Sequence, residues 1–349
     1  MIFRQLFDSV SGTYTYLIAS RAGGEALIID PVLEKVDRYL KLVEELDLKL
    51  VKAVDTHLHA DHVTGLGALR DRTHCVTVMG EQTAADVVSM RVAEGDRVAI
   101  EGLSLDVLYT PGHTDDSYSF LMNGLMGGRV FTGDTLLIRG TGRTDFQNGD
   151  PRQQYDSIFN KLLRLPEETL VYPAHDYKGD TVSTIGEEKH FNPRLRVGSV
   201  DEYVDLMNNL NLPNPKMMDV AVPANIRVGL HQDEIARRGW ALTAREALAL
   251  HGSPGIALVD LREKGERDKH GSIPGALHAP YADLVENIGE GGVLHELAAA
   301  TGRRIVFYCA FGERSAMAVE AAQAAGLAGA CHIEGGMAAW KRADGPVIR

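Results

Sequence analysis

Seven residues, THLHADH at Thr56–His62, hold three histidines and an aspartate directly after the apolar run LVKAVD. A surface histidine patch is the plain alternative. The tight alternation of ligand-type side chains, and their place at a strand end, point instead to a metal. Three later stretches repeat the arrangement: TPGHTDD with His113, FTGDTL with Asp134, and YPAHDY with His175. Each follows a strand-like run, so in a layered fold the side chains converge at one sheet edge.

A second chemical centre stands in YCAFGERS. Cys309 closes the buried-strand pattern RIVFYC, and a short loop with Gly312 leads straight into an alanine-rich helix. A thiol there faces backbone N–H groups and the positive end of a helix, which stabilise a thiolate or persulfide. Arg314 is expected to add a cation near an anionic sulfur donor. Cys75 and Cys331 have no such setting, and Cys331 reads as core packing. Three widely spaced cysteines fit a reducing compartment and at most one special thiol, so the expected location is cytoplasmic.

The elements that must position these groups fall into two sets. In the first, TYTYLIAS alternates, EALIIDP is a short apolar run, and Val36, Tyr39, Leu40 and Val43 recur at helical spacing. SLDVLYTPGH, SYSFLMNG, RVFTGDTL and TLVYPAH are further strands, and Tyr155, Ile158, Phe159, Leu162 and Leu163 mark a helix. Strands then helix, twice over, predict two sheets face to face with helices outside. In the second set, ALTAREALALHG and SAMAVEAAQAAG are helical, and GIALVDLR and RIVFYC are buried strands. That alternation implies a small α/β domain with a parallel sheet.

Between the sets, LPNPKMMDVAVPANIRVGL carries Pro213, Pro215 and Pro223 without clear periodicity, as a wrapping tail or linker would. The predicted domains are residues 1–238, with the tail at about 211–238, and residues 239–349. A length of 349 residues agrees with two domains. The balance of 36 basic and 48 acidic residues, a net charge of −12, disfavours nucleic acid and anionic membrane as partners. No apolar run is long enough to span a bilayer, and MIFRQLFDSV reads as a first strand, not a targeting segment. The sequence is silent on oligomeric state, and a homo-oligomer stays open.

The T-H-x-H-x-D-H motif with His113, Asp134 and His175 resembles the metallo-β-lactamase superfamily over roughly residues 1–230. This resemblance implies an αββα sandwich. Within it, the glyoxalase II branch uses the full set to hold two metals and hydrolyse a glutathione thioester. The persulfide dioxygenase branch holds one iron, Fe2+, on the residues that match His57, His113 and Asp134. His59, Asp61, His62 and His175 would then orient ligands and substrate by hydrogen bonds. Two histidines and a carboxylate leave three open positions, the pattern of oxygen-activating non-haem iron. The ligand list alone does not choose between the branches.

DTLLIRGTGRTDFQNGD and LPNPKMMDVAVPANIRVG resemble persulfide dioxygenases, and the longer helical glutathione region of glyoxalase II is lacking. Arg139 and Arg143, just beyond Asp134, bring positive charge suited to the carboxylates of glutathione, and Tyr177 and Lys178, just past His175, are expected to complete that cradle. The Cys309 loop, with LVDLRE (Asp260, Arg262), HGSIPGALHAP and EGGMAAWKRADGPV, resembles the rhodanese sulfurtransferases over roughly residues 240–349. Cys309 and Arg314 are then its catalytic pair. The whole chain thus looks like a persulfide dioxygenase–rhodanese fusion, implying glutathione persulfide, O2, thiosulfate and sulfite as its small-molecule substrates and products. A two-zinc thioesterase with an appended rhodanese module, and a second domain that only senses or docks, are the alternatives.

Overall fold

The computed structural model describes residues 1–86, 88–124, 128–210, 212, 218–226, 232–310 and 312–348. Contacts divide the chain into two units: Met1–Thr73, Thr77–Asp86 and Arg91–Val228, then His74–Val76, Val87–Met90 and Gly229–Arg349. No helix among the described residues is long and apolar enough to cross a membrane.

Two six-stranded sheets build the first fold. One runs in chain order: β1 (Ile2–Asp8), β2 (Thr13–Ala19), β3 (Glu25–Ile29), β4 (Lys49–Val54), β5 (Val76–Gly80) and β6 (Met90–Val92). The other is β7 (Arg97–Ile100), β8 (Leu103–Tyr109), β9 (Tyr118–Met122), β10 (Arg129–Gly133), β11 (Leu170–Pro173) and β12 (Ser183–Thr184), again in order. Aromatic rings lock the two inner faces together. Tyr16 of β2 lies 5.0 Å from Phe131 of β10 and 5.5 Å from Tyr172 of β11. Such tilted and edge contacts add to the area they bury. The alternation in TYTYLIAS is therefore not one of wet and dry faces, since all seven residues of β2 are buried.

Helices close both outer faces. Val36–Glu45 turns Val36, Tyr39 and Val43 inward, and the Tyr39 hydroxyl meets that of Thr15 at 2.9 Å. Against the second sheet, Ile158, Leu162, Ile185 and Tyr203 from four helical segments pack on Val130 and Val171. In the proline-rich tail the reading needs a correction. Met218–Ile226 is a helix with Pro223 inside it, whereas Pro213 and Pro215 lie outside the described residues.

The second fold carries five strands: β13 (Ala241–Leu242), β14 (Ile256–Asp260), β15 (Leu277–His278), β16 (Arg304–Tyr308) and β17 (Cys331–Ile333). Their order is β13-β17-β16-β14-β15 and every pair is parallel. Thr243 and Glu246 form a capping box at the helix Ala244–Leu250. Cys331 is buried in β17, and burial pushes its thiol up to about 11, so it packs as an apolar side chain.

Candidate metal centre and sulfur site

The four ligand-bearing stretches do converge. His57 follows β4 in one sheet, while His113, Asp134 and His175 follow β8, β10 and β11 in the other. Gly133 makes the approach possible. It has φ +53°, and a Cβ there would stand 2.8 Å from Thr56 Oγ1, so a side chain would drive the two strand ends apart.

Two groups of ligand atoms result, each lying within 4.8 Å of one another: His57, His113 and Asp134, then His59, Asp61, His62 and His175. Hydrogen bonds set the first group for a metal. Thr56 Oγ1 donates to Asp30 at 3.1 Å, so its lone pair takes the Nδ1–H of His57 at 2.9 Å, leaving Nε2 of His57 as the free donor atom. His113 Nδ1 donates to the Arg143 carbonyl at 2.7 Å, and its Nε2 faces Asp134 Oδ2 at 3.5 Å. In both rings the outer partner selects the tautomer that a metal needs.

Electrostatics agree. Burial, reinforced by the neighbouring His59 and His113 rings, holds His57 well below the ordinary imidazole range, so it is neutral and ligand-competent. Burial also pushes the Asp30 carboxyl up to about 6, although His57 and Thr56 favour its ionised form. For Asp134, burial favours the protonated acid, but His175, then His113 and His57, outweigh it and keep the carboxylate ionised. Two imidazoles with Nε2 turned inward and one carboxylate, their ligand atoms within 4.8 Å of one another, are residues that fit a divalent metal.

His175 behaves differently. Its Nδ1 contacts Asp134 Oδ1 at 2.7 Å and its Nε2 contacts Asp61 Oδ2 at 2.8 Å. Burial alone would neutralise the ring, but these two carboxylates hold its pKa well above the usual range. Thr13 Oγ1 is a further neighbour of Nε2, at 3.1 Å. His62 is tied to Asp61 through Nδ1 at 2.9 Å, and His59 to Asp30 through Nε2 at 3.1 Å.

A cavity of about 280 Å³ opens beside these groups, lined in part by His57, His113, Asp134, Arg139, Arg143 and Arg194. Tyr177 and Lys178 also line it, so all four residues of the expected cradle reach its wall. Their charges are less available than the sequence implies. Arg139 is clamped by Glu187 and Glu188, and Arg143 by Asp145 at 2.5 and 2.7 Å. Arg194 was not legible as a site residue. It touches the Thr141 carbonyl and hydroxyl, and no carboxylate pairs with it among the described residues. Asp176 shapes the rim by accepting the N–H groups of Lys178, Gly179 and Asp180.

In the second fold, Cys309 is fully buried at the end of β16. Gly312 N–H donates to its Sγ at 3.1 Å from the N-terminus of the helix Glu313–Ala324. Gly312 sits at φ +105°, a turn that a side chain would strain. Phe311 of this loop lies outside the described residues. Ser315 Oγ stands 3.8 Å from the sulfur and 3.2 Å from His332 Nδ1. Arg314 corrects the expectation of a cation kept for an anionic donor. It is buried, and both its terminal nitrogens fork onto Glu266 at 2.9 and 2.7 Å. A buried guanidinium paired in this way orders the loop through its carboxylate partner. Asp260 and Arg262 pair with each other at 2.7 Å and the Tyr308 hydroxyl joins them, a network within the fold.

Comparison with known proteins bears on both folds. Residues 9–87 and 91–175 match the metallo-beta-lactamase superfamily, and residues 243–343 match the rhodanese-like domain. The chain is 46% identical over 231 residues to persulfide dioxygenase ETHE1, mitochondrial, of Mus musculus and to that of Homo sapiens. In each case this spans 66% of this chain and 89% of the relative. The crystal structure of ETHE1 from Myxococcus xanthus is 57% identical with a TM-score of 0.62, covering 65% of this chain and 98% of that one. A metallo-beta-lactamase structure from Staphylococcus aureus subsp. aureus COL shares the fold across 96% of this chain and 97% of its own, at 23% identity and a TM-score of 0.61.

Proposed function

Because the chain belongs to the persulfide dioxygenase family of the metallo-beta-lactamase superfamily and carries a rhodanese-like domain, we propose that it oxidises glutathione persulfide at one iron and transfers sulfur at Cys309. The first reaction balances as glutathione persulfide, O2 and water giving glutathione and sulfite. When bound, ferrous iron would supply the redox chemistry toward O2 that side chains lack.

The chain's own residues do the rest. His57, His113 and Asp134 would hold the metal, and His175 fixes the Asp134 carboxylate through its Oδ1. Arg194 offers a charge to a substrate carboxylate remote from the reacting sulfur. The observation that supports the single-metal reading is the 46% identity to persulfide dioxygenases over 231 residues, with His57, His113 and Asp134 gathered as one group of three. Protein purified with its native metal is expected to contain about one iron per chain and to take up O2 with glutathione persulfide. Two zinc ions per chain and thioester hydrolysis without oxygen uptake would replace this reading with the dinuclear hydrolase.

At the other site the Cys309 thiolate attacks the outer sulfur of thiosulfate, the S–S bond breaks, and sulfite leaves with the bonding pair. Glutathione thiolate then takes that sulfur from Cys309 and becomes glutathione persulfide, the compound the iron site consumes. Run in reverse, the same steps consume sulfite and form thiosulfate.

Arg194→Ala is expected to raise the KM for glutathione persulfide about tenfold or more while kcat and iron content stay near wild type. A charge-assisted hydrogen bond to an unreactive part of the substrate contributes about 1.5–3 kcal/mol, felt equally in ground and transition states. Steady-state oxygen uptake checks it, and an unchanged KM would return Arg194 to a purely structural role.

A further inference from the structure

Behind the metal centre, one side chain from the tail spends three hydrogen bonds on the ligand loop. Asn225, in the helix Met218–Ile226 of the first unit, is 1% exposed. Its Oδ1 accepts the N–H of Thr64 at 2.8 Å, and its Nδ2 donates to the carbonyls of His59 and His62, both at 2.9 Å. Both amide donors and one of the two lone pairs of Oδ1 are thus used, and these partners fix which way round the amide lies.

The loop that follows β4 is held at its start by other groups. Thr56 N–H is bound by Asp30, Leu58 N–H by Asp116, and the Leu58 carbonyl by Gln147. Asn225 holds its second half, residues 59–64, with Asp61 between the two carbonyls it binds. Asp61 in turn bonds His175, and His175 bonds Asp134. A relay of short contacts thus runs from the tail helix to the carboxylate ligand.

We infer that Asn225 is a positioning residue for the metal centre: it fixes the backbone of residues 59–64 so that Asp61 and His175 present Asp134 to the ion. This rests on the metal reading above, but it assigns to the tail segment a part in building the site. Outer partners of metal ligands typically govern affinity by about 10–100-fold, and a residue further along the same relay belongs at the lower end of that range.

Full-length protein carrying Asn225→Ala or Asn225→Asp tests it. The aspartate variant keeps the volume and the acceptor for Thr64 but sets a carboxylate oxygen against two carbonyls. Both are expected to lose iron to a competing chelator about tenfold more readily than wild type. Both should also shift the visible absorption bands of the cobalt(II)-loaded protein, while far-UV circular dichroism reports a folded chain. A role in packing alone would lower the melting temperature and leave the cobalt spectrum and chelator competition unmoved, which would overturn the inference. Should the alanine variant not fold, the isosteric aspartate variant carries the test. A wild type that binds no iron would strike the metal reading itself, whereas a loaded wild type matched by both variants strikes only the role of Asn225.

Discussion

Asp134→Ala is expected to strip the protein of iron and to end its oxygen uptake. Asp134 is the only carboxylate in the group that it forms with His57 and His113, and two imidazoles alone hold ferrous iron poorly. The substitution also takes from His175 one of its two anionic partners, leaving a buried imidazolium to Asp61 alone. Activity should fall by more than about 100-fold, beyond what removal of an outer partner costs. Metal analysis and an oxygen electrode check it, and an alanine variant with full iron and normal uptake would remove Asp134 from the site. His62→Ala should be milder, because its bond runs to Asp61 and not to the group of three.

Cys309→Ser is expected to abolish sulfur transfer from thiosulfate while oxygen uptake on supplied glutathione persulfide continues. A serine hydroxyl fits beside Gly312 N–H but carries no transferable sulfur at neutral pH, so the first half-reaction has no acceptor. The metal-centre ligands all precede residue 180 and belong to the first unit, so the change should not reach them. The informative condition is thiosulfate plus glutathione as the sole sulfur source. Wild type should consume oxygen, the serine variant should not, and preformed glutathione persulfide should restore uptake. A variant that still respires on thiosulfate and glutathione would sever the two sites. Should wild type itself fail on thiosulfate yet form it from sulfite and persulfide, the second domain scavenges sulfite instead.

What could be read in advance follows from how local each signal is. His57, His113, Asp134 and His175 each stand just past a strand whose pattern is visible over a few residues, so both their type and their convergence were legible. The Cys309 loop was legible for the same reason, as a strand, a glycine turn and a helix in succession. The partners were not. Arg139 meets Glu188 across 49 residues and Arg314 meets Glu266 across 48, and no local pattern announces such pairings. Their charges therefore looked available when they are spent. Asp30, Asp116 and Arg194 had no signal at all, because their roles exist only once the sheets have met. The helix Met218–Ile226 was hidden by Pro223 and by the absence of a one-sided apolar pattern.

The ligands come from both sheets, His57 from the end of β4 and His113 and Asp134 from the ends of β8 and β10, and this has a consequence for folding. An ion held by all three is a cross-link between layers, so its binding free energy is also folding free energy for the first unit. At a free concentration a hundredfold above its dissociation constant, such an ion adds about 2.7 kcal/mol to stability. That is a sizeable share of the 5–15 kcal/mol typical of native proteins. The unit around Cys309 supplies none of these ligands. On the proposed function, metal scarcity would therefore bear first on the oxidation site, and the ratio of oxidation to sulfur transfer would depend on metal supply.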